Sequence, residues 1–267
     1  MFNDVFESIL NTPPSTLSSG LSPVDAIPFD YDSNTYWWDF TSTDNTVEAT
    51  GDDTYAIVPE QIRGVANLIQ PTKGFQPLKQ TDGANFNKDS GRQLAVEDVT
   101  GITNGKSGWY IALNCVVDTN DSNIMTIARN ANSKASRGQI YVPSNREFGL
   151  KGDDNDGGSP NWIARAPAIS TGSSTWYTLE MELTADGVDT TPVRIWYDGV
   201  LQTNTYENGT DFDAFPSTDP SEIVVGNFAE TDSDSFDGKI QHMIFYNGVP
   251  SSDLRTAFSD YLVGVKP

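Results

Sequence analysis

The sequence contains little cysteine, little histidine and little positive charge. Its single cysteine, Cys115, has no partner for an internal disulfide, so a disulfide-stapled scaffold is excluded. Its single histidine, His242, makes a histidine-rich metal site impossible and leaves no redundancy for a Ser-His-Asp or Cys-His arrangement. We expect Cys115 to be a small core residue and His242 to be a surface or hydrogen-bonded sheet residue.

Positive charge is scarce because 16 Lys and Arg residues face 37 Asp and Glu residues, which gives a formal net charge of −21. Binding of nucleic acid depends on Lys and Arg displacing counterions, so nucleic acid is not an expected partner. An anionic membrane is disfavoured for the same reason. The acidity has two open interpretations, which are resistance to self-association and binding of divalent cations.

Long hydrophobic runs are also absent. No stretch approaches the ~20 apolar residues of a membrane span, and the N-terminus has neither the basic start nor the apolar run of a secretory signal. We therefore expect a soluble protein that is made in the cytoplasm and has no membrane partner.

Residues 1–30 and residues 31–267 differ in composition and in hydrophobic pattern. Residues 1–30 are rich in Pro and Ser, which predicts an extended N-terminal arm that either is disordered or anchors the chain to a larger assembly. Residues 31–267 have short apolar or alternating runs separated by Gly, Asn, Asp and Ser, which is typical of many strands joined by turns. Thirteen Phe, ten Tyr and six Trp residues can fill the core of one large sandwich.

The alternation predicts strands over 108–117, 123–129, 138–143, 161–169, 175–184, 192–198, 221–227 and 237–246. Asp186-Gly187 and Asp198-Gly199 predict hairpin turns. One helix is expected after Ser251, where capping side chains precede Leu254, Phe258 and Leu262 at helical spacing. This helix is expected to pack its apolar stripe against the sandwich.

Several of these segments resemble laminin-G-like, concanavalin A-like domains. The similar parts are the paired strands at 174–183 and 193–199, the run at 223–227 that contains Gly226, and the F-x-G-x-I pattern at 236–240 with its following strand and closing helix. The resemblance covers about residues 100–267 and implies a jelly-roll sandwich of two antiparallel sheets. In this pattern Gly238 permits a tight backbone turn.

Residues 36–99 contain the segments Trp38-Asp39-Phe40-Thr41, Asp44-Asn45-Thr46-Val47, Ile69-Gln70-Pro71-Thr72, Gln76-Pro77 and Asp82-Gly83-Ala84-Asn85-Phe86. Together these segments resemble a second pattern, which precedes laminin-G-like domains in structural proteins of tailed bacteriophages. This resemblance implies a display role on a particle surface and names no ligand. It predicts capsid or tail proteins as partners through the N-terminal arm, and assembly as a homo-oligomer.

Sandwiches of this shape also occur in enzymes that cleave polysaccharides. A retaining glycosidase needs two carboxylates about 5 Å apart. Glu180 and Glu182 have the right alternation on one strand, but the third acidic position of related glucanases is Thr184. A polar solvent-facing strand surface is the preferred interpretation, so no catalytic residue is assigned and the protein is not expected to be an enzyme.

Calcium is the one cofactor that the sequence indicates. It prefers carboxylate, amide and carbonyl oxygens, which are dense in two loops at 153–158 and 232–237. The candidate ligands are Asp153, Asp154, Asp156, Asp232 and Asp234. Neither loop has the spacing of an EF-hand, and Asp and Asn clusters also make good turns.

Aromatic residues next to Asp and Asn are candidates for glycan binding. Asn161 and Trp162 directly follow the first acidic loop, and alternation is expected to bury one residue of the pair Trp37 and Trp38 and to expose the other. Asn161, Trp162 and Trp37 are therefore the candidate ligand-binding residues, although core packing is the usual place of tryptophan.

Three functions are consistent with these observations. The leading hypothesis is a noncatalytic virion structural protein, a head decoration or fibre component that displays the sandwich at the virion surface and binds host or environmental glycans. The alternative is a calcium-assisted carbohydrate-binding module or lectin outside a virion. A glycan-cleaving enzyme of the same fold is the third.

Overall fold

The chain, represented by a computed structural model, is described over residues 27–48, 53–87, 90–96, 108–120, 122–130, 138–152, 162–172, 174–184, 192–207, 221–227 and 235–267. These residues form β-strands with a single α-helix at the C-terminal end, which confirms the predicted all-β sandwich. Residues 1–26 of the predicted arm lie outside the described ranges. Ile27 and Phe29, at its end, pack against the sandwich.

The strands are numbered in chain order. The first nine are β1 Thr35–Asp39, β2 Thr46–Glu48, β3 Thr54–Val58, β4 Leu68–Ile69, β5 Leu78–Gln80, β6 Gly83–Phe86, β7 Leu94–Val96, β8 Gly108–Val117 and β9 Ser122–Asn130. The next nine are β10 Gly138–Val142, β11 Glu147–Gly152, β12 Trp162–Ala168, β13 Tyr177–Thr184, β14 Val193–Tyr197, β15 Val200–Leu201, β16 Thr205–Glu207, β17 Ser221–Val225 and β18 Gly238–Tyr246. A short 3-10 helix spans Lys73–Phe75, and helix α1 spans Ser252–Val265.

These strands form two antiparallel sheets. Sheet I has the order β1-β18-β8-β13-β14-β15. Sheet II has the order β4-β7-β17-β9-β10-β11-β12-β16. The sheets are joined at one side by β6, β5 and β3, because β6 pairs with β18 and β3 pairs with β4.

All eight strands predicted from the alternation are present, as β8, β9, β10, β12, β13, β14, β17 and β18, and their ends agree to within two residues. Strand β11 was not predicted. Its sequence contains Gly149 and Gly152, which are unusual inside a strand and read as turn residues. The predicted hairpin turn at Asp198-Gly199 is confirmed, with positive φ angles of 50° and 79°. The predicted turn at Asp186-Gly187 lies outside the described residues.

Strand β8 shows how alternation builds the main core. Trp109 and Ile111 face the space between the sheets, whereas Tyr110 and Ala112 face away from it. Cys115 lies on the core side and is fully buried, as predicted. Burial raises the pKa of its thiol, because a thiolate is poorly solvated there.

Helix α1 packs against the sandwich, as predicted, and the surface that it covers is the outer face of sheet I. The Ser251 side chain accepts a hydrogen bond of 3.2 Å from the backbone N–H of Leu254, which caps the first turn. Phe258 and Leu262 then pack onto Tyr110 and onto other residues of sheet I, which forms a second, smaller core. Each such buried side chain stabilises the fold by roughly 1.5–3 kcal/mol.

This second core explains why the expectation for Trp37 and Trp38 was wrong. Trp38 faces the main core and is fully buried, and its Nε1 donates a hydrogen bond of 2.8 Å to the carbonyl oxygen of Ala66. Trp37 faces the other way, yet only 7% of its surface is exposed. Its indole lies in edge-to-face contact with Phe29 and Tyr261. Alternation therefore placed the two rings correctly, but the helix covers the face that was expected to be open.

Gly238 begins β18 where two backbones approach closely, and this close approach, instead of the predicted tight turn, is what requires glycine there. A Cβ at this position would lie 2.0 Å from the carbonyl oxygen of Val116, and the φ angle is 154°. Among the described helical residues, none forms a helix long and apolar enough to cross a membrane.

Candidate functional site

The outer face of sheet II carries a row of side chains that meet across three strands. Tyr141 on β10, Gly149 on β11 and Arg165 on β12 are Cα partners in adjacent strands. Their chain neighbours Ile140 and Ala164 belong to the main core, so alternation directs Tyr141 and Arg165 away from it. Arg165 Nε donates a hydrogen bond of 3.2 Å to the Tyr141 hydroxyl.

Gly149 makes this contact possible. Tyr141 and Arg165 lie two strands apart, which is roughly 10 Å between backbones, so their side chains meet above the strand between them. A Cβ at Gly149 would lie 2.6 Å from the Ala164 carbonyl oxygen, 3.2 Å from Arg165 Cγ and 3.4 Å from Tyr141 Cε1. The missing side chain therefore leaves room for the tyrosine ring and the arginine stem.

Two carboxylates flank the guanidinium. Arg165 Nη1 donates a short hydrogen bond to Glu207 and lies 3.9 Å from Glu147 Oε2. Asn145 holds Glu147 in turn, through a hydrogen bond of 2.6 Å from Nδ2 to Oε2. The Lys151 ammonium lies 5.0 Å from the centre of the Tyr141 ring. We call Tyr141, Glu147, Lys151, Arg165 and Glu207 the sheet II cluster.

The sheet II cluster is open to solvent in parts. The side chains of Arg165, Glu147 and Glu207 are 20%, 33% and 51% exposed. Burial raises the pKa of the Tyr141 phenol above its ordinary value of 10.0, and the hydrogen bond from Arg165 opposes that shift. The phenol therefore stays protonated at neutral pH, so it can donate one hydrogen bond while it accepts another.

This arrangement combines an aromatic ring, cationic donors and anionic acceptors on rigid strands. Such a set suits a ligand that has both hydroxyl groups and apolar C–H surfaces, because the ring packs against the C–H surface and the charged groups hold the hydroxyls. Sequence reasoning did not select these residues. The signal was present in part, since β10 and β12 were predicted and their alternation puts Tyr141 and Arg165 on outward positions.

The three residues predicted to bind a glycan, Asn161, Trp162 and Trp37, do not lie at one site among the described residues. Trp162 begins β12, where its Cα lies opposite Gly152, and only its backbone is described. Asn161 lies outside the described residues. Trp162 therefore shares its strand with Arg165. Trp37, in contrast, lies on sheet I beneath α1, and its buried Nε1 has no hydrogen-bond partner among the described residues. Trp37 thus offers no open ring face to a ligand.

The five candidate calcium ligands, Asp153, Asp154, Asp156, Asp232 and Asp234, lie outside the described residues. Within the described ranges, no three His, Cys, Asp or Glu side chains converge as a metal site requires. Strand β11 ends directly before the first acidic loop, and β17 is the sheet II strand that precedes the second. Strands β17 and β11 are separated by three antiparallel pairings, so their C-terminal ends lie at opposite ends of the sheet.

Glu180 and Glu182 are on the outer face of sheet I, opposite the main core, but that face is not open to solvent. Glu180 is fully buried beneath α1. It accepts hydrogen bonds from the Tyr110 hydroxyl at 2.9 Å, Arg255 at 3.0 Å and the Ser259 hydroxyl at 2.8 Å. Glu182 accepts a hydrogen bond of 2.6 Å from Arg194. The expected solvent-facing surface was wrong because α1 covers it, and Glu180 has no room for a sugar beside it.

His242 is a sheet residue of β18, but it is covered, with 5% of its surface exposed, so the surface alternative was wrong. Its Nδ1 lies 3.4 Å from Asp39 Oδ1, with a geometry that forms an electrostatic contact and not a hydrogen bond. Burial lowers the pKa of His242 below its ordinary value of 6.5, and the Asp39 carboxylate partly opposes this. The imidazole is therefore neutral at pH 7.

The fold defined above occurs in known proteins, although no protein-family model and no curated protein matches the sequence. Sialidase from Trypanosoma rangeli, solved with 2,3-difluoro-KDN, superposes with a TM-score of 0.57 at 13% identity over 98% of this chain. The same sialidase with sialic acid gives a TM-score of 0.57 at 12% identity. The chain covers only 40% of the sialidase chain in each case. These likenesses show a shared fold.

A third neighbour is the CBM40 of the Ruminococcus gnavus IT-sialidase, bound to α2,3-sialyllactose. It has a TM-score of 0.43 at 17% identity, and the match covers 61% of this chain and 84% of that one. That score is too low to add to the fold assignment, which rests on the Trypanosoma structures.

The sialidase neighbours contradict the prediction that the protein is not an enzyme, because sialidases are enzymes and the fold lies within their chains. The prediction relied on the lack of a carboxylate pair and of a histidine-based set. That reasoning was too narrow, since some glycosidases use a tyrosine nucleophile and need neither. The jelly-roll-like sandwich is confirmed, whereas the comparisons contain nothing specific to laminin-G domains or bacteriophages.

Proposed function

We propose that this chain is a carbohydrate-binding β-sandwich from a protein that acts on glycans, and that the sugar binds at the sheet II cluster. The observation that carries the proposal is the contact between Tyr141 and Arg165 above Gly149, with Glu147 and Glu207 on either side. The fold shared with sialidases supports a glycan ligand. Cell-surface glycans were also the ligand expected from the sequence.

The cluster offers each kind of contact that a sugar ring requires. The Tyr141 ring is a flat apolar surface for the C–H face of the sugar, and binding there displaces the Lys151 ammonium from above the ring. The two carboxylates accept hydrogen bonds from sugar hydroxyls, and the guanidinium donates them. Because the groups stand on paired strands, little ordering is needed on binding.

The test is a glycan array followed by calorimetric titration of the hits with the full chain. Tyr141→Ala and Arg165→Ala are each expected to weaken binding by about tenfold or more, as central contacts of a binding surface do. Arg194→Ala is the matched control, because Arg194 also pairs with a glutamate but lies on sheet I. If Tyr141→Ala and Arg165→Ala bind glycans as tightly as the wild type does, the binding site lies elsewhere on the protein. Product analysis after prolonged incubation shows whether the bound glycan is also cleaved.

Calcium binding by the acidic loops at 153–158 and 232–237 stays a proposal. If both loops bind calcium, we expect two separate sites, because the neighbouring ends of β11 and β17 point to opposite ends of sheet II. Titration with calcium after EDTA treatment tests this. A stoichiometry of zero would reject it, and glycan titrations with and without calcium would show whether the ion assists binding.

Location at a virion surface, attachment to capsid or tail proteins through residues 1–30, and homo-oligomer formation also stay predictions. The location rests on the resemblance of residues 36–99 and the attachment on the composition of residues 1–30, and all three predictions are compatible with glycan binding. Mass spectrometry of purified virus particles from the source culture tests the location. Light scattering of the full chain tests the oligomeric state.

A further inference from the structure

We infer that the sheet II cluster takes an uncharged glycan in preference to one that carries a carboxylate. This inference rests on the proposed function and adds the class of ligand to it. The structural basis is the way in which the protein's own carboxylates already occupy the guanidinium of Arg165.

Arg165 presents its Nε and Nη1 donors to internal partners. Its Nε donates to the Tyr141 hydroxyl, and its Nη1 contacts Glu207 and lies 3.9 Å from Glu147. A carboxylated sugar is best held by two parallel N–H donors of an arginine fork. To take both donors of such a fork on Arg165, a ligand carboxylate would have to displace the Tyr141 hydroxyl from Nε or Glu207 from Nη1. In either case its negative charge would lie beside those of Glu147 and Glu207.

The charge balance leads to the same conclusion. Within the sheet II cluster, the positive charges of Arg165 and Lys151 are matched by the negative charges of Glu147 and Glu207. No excess of positive charge remains to attract an anion. The chain as a whole carries −21, so its long-range field repels anionic ligands at low ionic strength.

An uncharged sugar needs no displacement of Glu207 from Arg165. Hydroxyl groups donate to the free lone pairs of Glu147 and Glu207, since a carboxylate has about four acceptor positions and the arginine uses only part of them. The Glu207 side chain, which is 51% exposed, keeps such positions open to solvent. The pairing with Arg165 then fixes the acceptors in place before the ligand arrives.

The experiment compares matched glycans that differ only by an acidic sugar, such as lactose and sialyllactose, across an array and then by titration. We expect the uncharged member of each pair to bind the full chain about tenfold more tightly at about 50 mM salt. The difference should shrink at about 500 mM salt, where repulsion is screened. The affinity for the uncharged member should change less than about twofold between these conditions.

Glu207→Gln tests the cause, because it releases Arg165 without changing the size of the side chain. We expect Glu207→Gln to reduce the ratio of the two affinities, uncharged over acidic glycan, by about fivefold. This affinity ratio is the gap between the two members. Asp82→Asn is the matched control, since it releases Lys239 from a surface ion pair away from sheet II and should leave the gap unchanged. Tighter binding of the acidic member by the wild type, or a gap that is the same in Glu207→Gln, would overturn the inference. If the wild type binds no glycan, or if Tyr141→Ala binds glycans as tightly as the wild type does, the proposed function itself is refuted.

Discussion

The Tyr141 hydroxyl accepts a hydrogen bond of 3.2 Å from Arg165 Nε, although the two residues stand on strands β10 and β12, which are separated by β11. The contact exists because Gly149, which lies between them in register, has no side chain. The geometry of the sheet II cluster therefore depends on a residue that makes no polar contact of its own with either side chain.

Gly149→Ala is expected to disrupt this contact. The new methyl group would lie within 2.6 Å of the Ala164 carbonyl oxygen and would push against both side chains. We expect a loss of about 1–3 kcal/mol of unfolding free energy, measured by urea denaturation, and weaker glycan binding. Gly74→Ala is the control, because a Cβ there meets nothing within 4 Å. Equal stability of the two variants would show that β11 adjusts without cost.

Replacing Glu180 is expected to loosen helix α1. Glu180→Ala leaves Arg255, whose side chain is only 19% exposed, without its carboxylate, and it also removes the partner of Ser259. Breaking a buried pair in this way costs about 3–5 kcal/mol. Urea denaturation gives the cost, and hydrogen exchange shows faster exchange in α1. Asp260→Asn, at an exposed position of the same helix, should change stability by less than about 0.5 kcal/mol. A similar small effect for Glu180→Ala would mean that apolar packing alone holds the helix.

The stability of the protein should fall as the pH is lowered below about 6.5. Burial lowers the pKa of His242 in the folded state, so the unfolded chain binds a proton that the folded chain resists. Stability is therefore fully present above the unfolded pKa and is lost as the pH falls from there towards the folded pKa. At pH 5.5 the loss from this group is at most about 1.4 kcal/mol.

The protein has one histidine, so His242→Gln isolates this effect. Denaturation midpoints at pH 7.5 and 5.5 should differ less in His242→Gln than in the wild type. If acidification instead stabilises the wild type relative to His242→Gln, the effect of the Asp39 carboxylate on the pKa of His242 is larger than the effect of burial.

Phe29 is expected to be part of the folded unit although it precedes β1. Its ring contacts Trp37 at 5.3 Å and Phe258 at 5.5 Å between ring centres. Phe29→Ala should cost about 3 kcal/mol in unfolding free energy. Phe75→Ala, at a position that is 45% exposed, should cost much less. A truncation that keeps Phe29 is therefore expected to be more stable than one that begins after residue 30, which tests the boundary placed at residue 30.

Much of the fold could be predicted because its strands are apolar or alternating runs bounded by turn residues, and because its helix has a cap. Strands β8 and β18 have long, largely apolar runs, and Ser251 precedes the helical spacing of Phe258 and Leu262. Strand β11 could not be predicted, because the glycine at position 149 is explained only by its neighbours on the adjacent strands, Tyr141 and Arg165. Trp37 and Glu180 were placed on the correct face, but the sequence does not reveal that α1 covers that face.

The sheet II cluster could not be predicted for a related reason. Tyr141 and Arg165 are 24 residues apart and form no motif, and their contact depends on the register of three strands. The candidates selected from the sequence were local pairs, such as Asn161 with Trp162, because neighbouring residues are the only ones whose proximity a sequence guarantees. Most of those candidates lie outside the described residues.

The second core has a consequence for how the sandwich is oriented when it is tethered. Phe29 and helix α1 both lie against the outer face of sheet I, and Lys266 pairs with Asp198 at an edge of the same sheet. The described chain thus begins and finishes on the side away from Tyr141 and Arg165. A tether at either end would therefore attach on the side of the outer face of sheet I, and the sheet II cluster would face away from the tether. Many tethered copies could then bind a glycan-coated surface together.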